Sequence, residues 1–173
     1  MSTVQDTEAG WVRSARGGDR AAFDRLVERT RTDAVAAALG LLGDREEAQD
    51  AVQQAFLSAW TGLGSLREGD RFRAWLGGIL YRVCLDLRRR HARKRRLDLT
   101  APPLPRLSEP LEEVVRETLA LAPEFRDVLT LFYLQGLTLE ELAPLLGITP
   151  GNAKVRLHRA RRMLRERLQE KPS

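Results

Sequence analysis

Four of the eight prolines in the chain fall within residues 97–110, and this cluster divides the sequence into two parts. Proline lacks a backbone N–H and blocks a regular helix, so this segment is predicted to be an extended linker. The stretches on either side are rich in Ala, Leu, Arg and Glu, and their apolar residues recur at helical spacing. We therefore predict an all-α protein of two small helical domains, residues 1–96 and 111–173, joined by the proline-rich linker.

The rest of the composition excludes several classes of protein. The lone cysteine, Cys84, rules out an internal disulfide and a cysteine-based zinc site, and it favours a reducing compartment. The first residues lack the basic-then-apolar pattern of a secretion signal, and no window reaches the roughly 18 unbroken apolar residues of a membrane helix. We expect a cytoplasmic protein without membrane insertion.

Motifs of catalysis are missing from the sequence as well. It contains no nucleotide-binding loop, no zinc-protease motif, and no nucleophile with a base in a recognisable arrangement. We therefore predict no catalytic residues, no metal and no cofactor, and we do not expect a nuclease or another enzyme.

Positive charge is concentrated in two blocks. Residues 63–96 carry 11 basic against 3 acidic residues, and residues 151–173 carry 8 against 2, whereas the segments before each block are net negative. Each block lies at the C-terminal end of one of the two predicted domains. Two such blocks suggest two contacts with one polyanion.

Turn-forming residues mark the helices of the first domain. One helix is predicted from Asp19 to Leu42, where Gly43 ends it, and a second begins at Asp44. The second helix carries an apolar stripe at helical spacing, formed by Ala48, Ala51, Val52, Ala55, Phe56 and Ala59. A loop over 62–70 and a third helix from about Phe72 to Arg90 follow.

The second domain ends in a helix-turn-helix pattern. Thr138 and Glu141 have capping-box spacing and start a short helix, which Pro144 is expected to kink or to end early. A turn over 147–149 leads into a longer basic helix from Pro150 to about Leu168.

The last helix has one buried and one basic face on a projection of about 100° per residue. Ala153, Leu157, Ala160 and Leu164 form the buried stripe, and no acidic residue occurs between Gly151 and Arg165. A solvated helix would normally alternate charge signs, whereas DNA phosphates would neutralise cations on both flanks. We predict that the opposite face meets base edges, where Arg159 could donate two hydrogen bonds to a guanine.

The segment ITPGNAKVRLHRARRMLRERL resembles the recognition helix of bacterial sigma factors. In that family the domain binds the −35 promoter element. The resemblance implies a −35 set of Lys154, Val155, Arg156, His158, Arg159 and Arg162, with Arg156 near the backbone. Asn152, Ala153 and Val155 depart from the commonest family residues, and Val155 replaces a hydroxyl donor.

The first domain resembles the same family. The segment DREEAQDAVQQAFLSAW is similar to the region that docks on the clamp helices of the polymerase β′ subunit. A helical projection places four residues opposite the buried stripe, and the resemblance makes them the polymerase-binding set: Asp50, Gln53, Gln54 and Leu57.

The segment SLREGDRFRAWL is similar to the family loop that captures a base flipped out of the −10 element. Such a loop must replace the lost pairing and stacking of that base, which costs a few kcal/mol. The implied −10 set is Ser65, Leu66, Arg67, Glu68, Gly69, Asp70 and Arg71, together with Arg82. Arg82 stands where the family often has Asn.

These resemblances identify the chain as a member of the small extracytoplasmic-function (ECF) sigma factors. They imply core RNA polymerase as a partner, through its β′ clamp helices and β flap, together with promoter DNA and an anti-sigma factor. The main alternative is a stand-alone helix-turn-helix regulator, which would bind specific duplex DNA without polymerase. A polymerase-binding adaptor that does not initiate is a further alternative.

Overall fold

The computed structural model describes residues 7–67, 71–94 and 107–169. Within these ranges the chain forms α-helices and no β-strand, which confirms the predicted all-α class. The helices are α1 (Glu8–Arg16), α2 (Arg20–Leu42), α3 (Arg45–Gly62), α4 (Phe72–Lys94), α5 (Glu109–Leu119), α6 (Pro123–Leu129), α7 (Leu139–Leu145) and α8 (Pro150–Gln169).

Side-chain caps begin α2 and α3 where the sequence predicted. The Asp19 carboxylate accepts a hydrogen bond from the Ala22 N–H at 3.2 Å, and the Asp44 carboxylate accepts one from the Glu47 N–H at 2.9 Å. Gly43 ends α2 in the left-handed conformation, with φ of 74°, which a side chain would strain. These boundaries confirm the predicted helices of the first unit.

Helix α1 was not predicted. Its N-terminus is capped by Thr7, whose hydroxyl accepts a hydrogen bond from the Gly10 N–H at 3.2 Å. Val12 and Ala15 are buried where α1 packs on α2. Thr7 followed by Glu8, and the spacing of these small apolar residues, were the sequence signals for this helix. A helix of nine residues is only marginally stable by itself, so these signals are weak.

The first unit packs α1, α3 and α4 around α2. The stripe of α3 is buried as predicted, except that Phe56 is half-buried. On α4, Leu76 is fully buried, whereas Trp75, Ile79, Val83 and Leu87 are half-buried. The deepest stripe is Phe72, Leu76, Leu80 and Cys84, because α4 contacts α2, α3 and α7 and is thus covered on more than one side.

The second unit packs α8 against α5, α6 and α7. Pro123 begins α6, and Gly136 takes a positive φ of 70°. The chain continues from α6 into a π-helical turn, Thr130–Leu134. Helix α5 begins at Glu109, so the last two residues of the predicted linker are helical, whereas most of the linker lies outside the described residues.

The two units also contact each other. Helix α2 packs against α5, α6 and the π-helical turn, and α4 packs against α7. The sequence predicted two domains without predicting this contact. It places Arg88 of the first basic block beside the second unit.

The Cys84 thiol should react slowly in the native protein. The residue is 0% exposed, and burial raises the pKa of its thiol to about 12. At pH 8 its thiolate fraction is then on the order of a thousandfold below that of an ordinary thiol. We expect an aromatic disulfide reagent to react at least about a hundredfold more slowly with native protein than with protein unfolded in guanidinium chloride. Equal rates would contradict the packing of α4.

Candidate nucleic-acid and protein interfaces

Helices α7 and α8 form the predicted helix-turn-helix. The Thr138 hydroxyl accepts from the Glu141 N–H at 3.3 Å, and the Glu141 carboxylate accepts from the Thr138 N–H at 2.8 Å, which completes the capping box. Helix α7 ends at Leu145, one residue after Pro144, so the helix ends early as this proline predicted. Gly147 turns the chain with a φ of 66°.

One face of α8 is buried and the other is open. Ala153, Leu157 and Ala160 are buried, and Leu164 is half-buried, as the projection predicted. Val155 is 50% exposed in the first turns of the helix. The rest of the predicted −35 set is exposed, apart from the half-buried Arg156; the exposed members are Lys154, His158, Arg159 and Arg162. Because the buried stripe fixes α8 against the rest of its unit, these side chains all lie on the face of the helix that is open to solvent.

Two flanking cations of α8 take part in packing. The Arg161 guanidinium lies 5.5 Å from the Phe132 ring centroid and 5.3 Å from that of Tyr133. The Arg167 Nε donates to the Glu117 carboxylate at 3.0 Å. These contacts orient α8 on the rest of its unit, which the projection alone could not show. Arg165 remains exposed on the flank.

The predicted polymerase-binding set forms a continuous exposed surface on α3. Asp50, Gln53 and Gln54 are exposed, and Leu57 is 62% exposed. Beside Leu57 lies an apolar groove that the sequence reasoning missed, because α2 supplies one of its walls. Its lining includes Phe23, Val27, Val35, Val52, Phe56 and Trp60. An acid, two amides and an apolar centre next to a groove suit a protein contact.

The described members of the predicted −10 set lie just before α4, apart from Arg82, which lies in the middle of that helix. Ser65 and Arg67 are exposed, whereas Leu66 is buried and anchors the turn. Glu68, Gly69 and Asp70 lie outside the described residues. Arg82 is exposed on α4 and, with Ser65 and Arg67, lines a cleft of about 620 Å³.

The second unit supplies the opposite wall of this cleft, with Leu137, Glu141 and Leu145. The Arg71 guanidinium pairs with the Glu141 carboxylate across it. Burial raises the pKa of Glu141, but the Thr138 and Arg71 hydrogen bonds outweigh burial and hold that pKa below its ordinary value.

A buried polar cluster joins α4 to α6. Arg88 donates two hydrogen bonds to the Asp127 carboxylate, at 2.9 and 2.7 Å, and the Tyr81 hydroxyl donates a third at 3.0 Å. Burial lowers the pKa of Arg88, but Asp127 outweighs burial and raises it above its ordinary value. Burial and then Asp127 raise the pKa of Tyr81 to about 12. Arg88 belongs to the first basic block, and here its charge is neutralised.

Within the described ranges, no group of three or more His, Cys, Asp or Glu side chains could hold a metal ion. The same ranges contain no helix long and apolar enough to cross a bilayer.

The fold and its surfaces define a two-unit helical protein with a DNA-binding helix-turn-helix. Residues 26–94 match the family model described as Sigma-70 region 2, and residues 111–164 match the one described as Sigma-70, region 4. The RNA polymerase sigma-H factor of Pseudomonas aeruginosa is 29% identical over 189 residues, with 96% of each chain covered. The ECF RNA polymerase sigma factor SigM of Mycobacterium tuberculosis is 35% identical over 155 residues, with 85% of this chain and 77% of the relative covered.

Solved structures resemble the chain as a whole. CnrH, in complex with the cytosolic domain of CnrY, is 28% identical with a TM-score of 0.68 over 96% of this chain and 100% of the matched one. RpoE of Bartonella quintana, at 23% identity and a TM-score of 0.71 over 87% of this chain and 98% of the matched one, supports the fold.

The chain belongs to the extracytoplasmic-function group of the sigma-70 family of RNA polymerase sigma factors. It is therefore a factor that directs RNA polymerase to promoter DNA. A stand-alone regulator is not favoured, because such a protein would need only the helix-turn-helix, whereas the first unit of this chain also matches Sigma-70 region 2.

Proposed function

We propose that this sigma factor initiates transcription through three surfaces. The exposed face of α3 docks on the β′ clamp helices of core polymerase, α8 reads the −35 element, and the cleft beside α4 takes an unpaired base of the −10 element. Strand opening is then driven by binding, without ATP hydrolysis, and the chain itself catalyses nothing. It acts in the cytoplasm, where core polymerase and promoter DNA are found.

The observation that carries this proposal is the exposed face of α8. Lys154, His158 and Arg159 lie around the half-exposed Val155, and the opposite side of the helix is buried at Ala153, Leu157 and Ala160. A rigid helix with cations and one apolar group on its free face suits a major groove, where guanine accepts two hydrogen bonds and thymine offers a methyl group.

We also propose an anti-sigma partner that holds the protein inactive until a signal arrives. RpoE of Bartonella quintana was solved with the anti-sigma factor NepR. The exposed Leu57 and the apolar groove beside it provide a surface that such a partner could cover. An inhibitor bound there would compete directly with core polymerase.

Run-off transcription with purified core polymerase tests the function. With a library of DNA fragments from the native genome as template, we expect transcripts with defined starts when the chain is added and none from core enzyme alone. In gel shifts, specific binding should depend on core polymerase. Tight specific binding of duplex DNA by the chain alone would support a stand-alone regulator, and an absence of core binding would refute the proposal.

A further inference from the structure

The turn between α3 and α4 is held by the last residue of α1. The Arg16 guanidinium donates from Nε to the Leu63 carbonyl at 3.2 Å and from a terminal nitrogen to the Gly64 carbonyl at 3.4 Å. We propose that Arg16 is a positioning residue for −10 recognition, which fixes the edge of the cleft that receives the unpaired base. The inference rests on the proposed role of that cleft.

The turn that Arg16 holds leads directly into the cleft. Leu63–Ser65 forms a short 3-10 helix after α3, and Ser65, Leu66 and Arg67 then line the cleft beside α4. The two carbonyls that accept from Arg16 thus belong to the residues immediately before the cleft edge. A movement of the turn would carry the exposed Ser65 and Arg67 side chains with it.

Helix α3 has no cation of its own at its C-terminus. The last turn of Arg45–Gly62 contains no basic residue, although the free carbonyls at a helix end carry partial negative charge. Helix α1 supplies a guanidinium from 47 residues earlier in the sequence. The Leu66 N–H also donates to the Leu63 carbonyl, at 3.2 Å, so the oxygen that Arg16 binds is the one that closes the turn.

Both segments that Arg16 joins are anchored in the core. Val12 and Ala15 are buried where α1 packs on α2, and Leu63 and Leu66 are buried beside the turn. Burial of apolar side chains is non-directional and leaves the orientation of a short turn loosely defined. A planar fork of N–H donors on two successive carbonyls defines that orientation.

The family match does not assign this role. Residues 26–94 match Sigma-70 region 2, so α1 lies before the matched range. The contact between Arg16 and the turn therefore connects a helix outside that range to the cleft inside it.

Arg16→Ala and Arg13→Ala form a matched pair of variants. Both arginines are exposed and lie in the last turn of α1, so each substitution removes the same charge from the same end of the same helix. Arg16 reaches the turn before α4, whereas Arg13 precedes it by about one helical turn.

The two variants should differ in −10 recognition. In holoenzyme containing Arg16→Ala, we expect the base preference in the −10 element to fall at least about fivefold, because a pocket displaced by about 1 Å loses contacts with the flipped base. The −35 preference should be unchanged, since α8 belongs to the other unit, and Arg13→Ala should retain both preferences. Transcription from two promoter libraries, one randomised at −10 and one at −35, followed by sequencing of the products, measures both.

This pair of libraries separates positioning from a merely structural role. If Arg16 only stabilised the fold, its loss would lower the amount of active protein, and transcription from all promoters would fall together with both preferences retained. That result would overturn the proposal, as would equal −10 preferences for Arg16→Ala and Arg13→Ala.

A second pair decides the matter if Arg16→Ala does not fold. Lysine keeps the charge, but its ammonium is a point donor on a flexible stem and does not reproduce the fork of a guanidinium, so Arg16→Lys should lower the −10 preference at least about twofold relative to Arg13→Lys. Because neither variant changes the net charge, the difference cannot come from weaker attraction to DNA. The same −10 preference in both lysine variants would then refute the role of Arg16.

Replacing Ser65 and Arg67 together with alanine distinguishes this inference from the proposed function. Both side chains are exposed at the cleft, so their loss should lower the −10 preference directly. If it does so while Arg16→Ala behaves as wild type, the positioning role alone fails. If the double variant retains the −10 preference, the cleft does not receive the base, and the proposed role of the cleft fails together with that of Arg16.

Discussion

Replacing Asp50 and Leu57 together with alanine is expected to weaken binding of core RNA polymerase by at least about thirtyfold, which corresponds to roughly 2 kcal/mol. Leu57 is 62% exposed at the centre of a polar rim, and burial of an apolar side chain at a protein contact typically provides much of its binding energy. Fluorescence anisotropy of labelled protein titrated with core enzyme measures the effect.

Controls separate this face from general effects of charge and folding. Asp86→Ala removes an exposed negative charge from α4 and should leave core binding unchanged. The single variants Asp50→Ala and Leu57→Ala show how much of the lost binding free energy each of the two residues accounts for. Thermal unfolding should be nearly unaffected, because both side chains are exposed. Wild-type affinity in the double variant would mean that core polymerase docks elsewhere.

Arg159→Ala should change which −35 sequences are used. A bidentate contact between arginine and guanine discriminates by about 1–3 kcal/mol, so preference at one base pair should fall by roughly 5- to 150-fold. Transcription from a promoter library with a randomised −35 element, followed by sequencing of the products, measures this preference for holoenzyme containing each variant.

Arg165→Ala is the matched control, because it removes the same charge from an exposed position on the flank of the same helix. A phosphate contact there predicts weaker binding to all promoters and a shallower salt dependence, with the base preference retained. If Arg159→Ala behaves in the same way as Arg165→Ala, Arg159 contacts the backbone and the base-reading role belongs to another residue of α8.

The local structure of the chain was largely predictable from its sequence. Caps such as Asp19, Asp44 and Thr138 act on N–H groups three residues away, so the helix starts depend on neighbouring residues alone. The exposed faces of α3 and α8 follow from helical periodicity for the same reason. Helix α1 was missed because nine residues carry too little periodic signal.

Tertiary packing decided which charged residues remain available. The projection assigned the flanking arginines of α8 to DNA phosphates, but Arg161 stacks on two rings and Arg167 pairs with Glu117. The Arg88 charge is met by Asp127, which is 39 residues away in the sequence. Such pairings depend on how whole helices dock, which no local pattern encodes.

The sequence by itself thus determined most of the helices, the buried stripes of α3 and α8 and the family to which the chain belongs, because each of these depends on short-range spacing. Only the tertiary structure showed that the two units close on each other, with Gly77 against Gln135 and Asp127 against Arg88. The physical reason is that close packing selects among arrangements by shape and by pairing of buried polar groups, and both become defined only when distant segments meet.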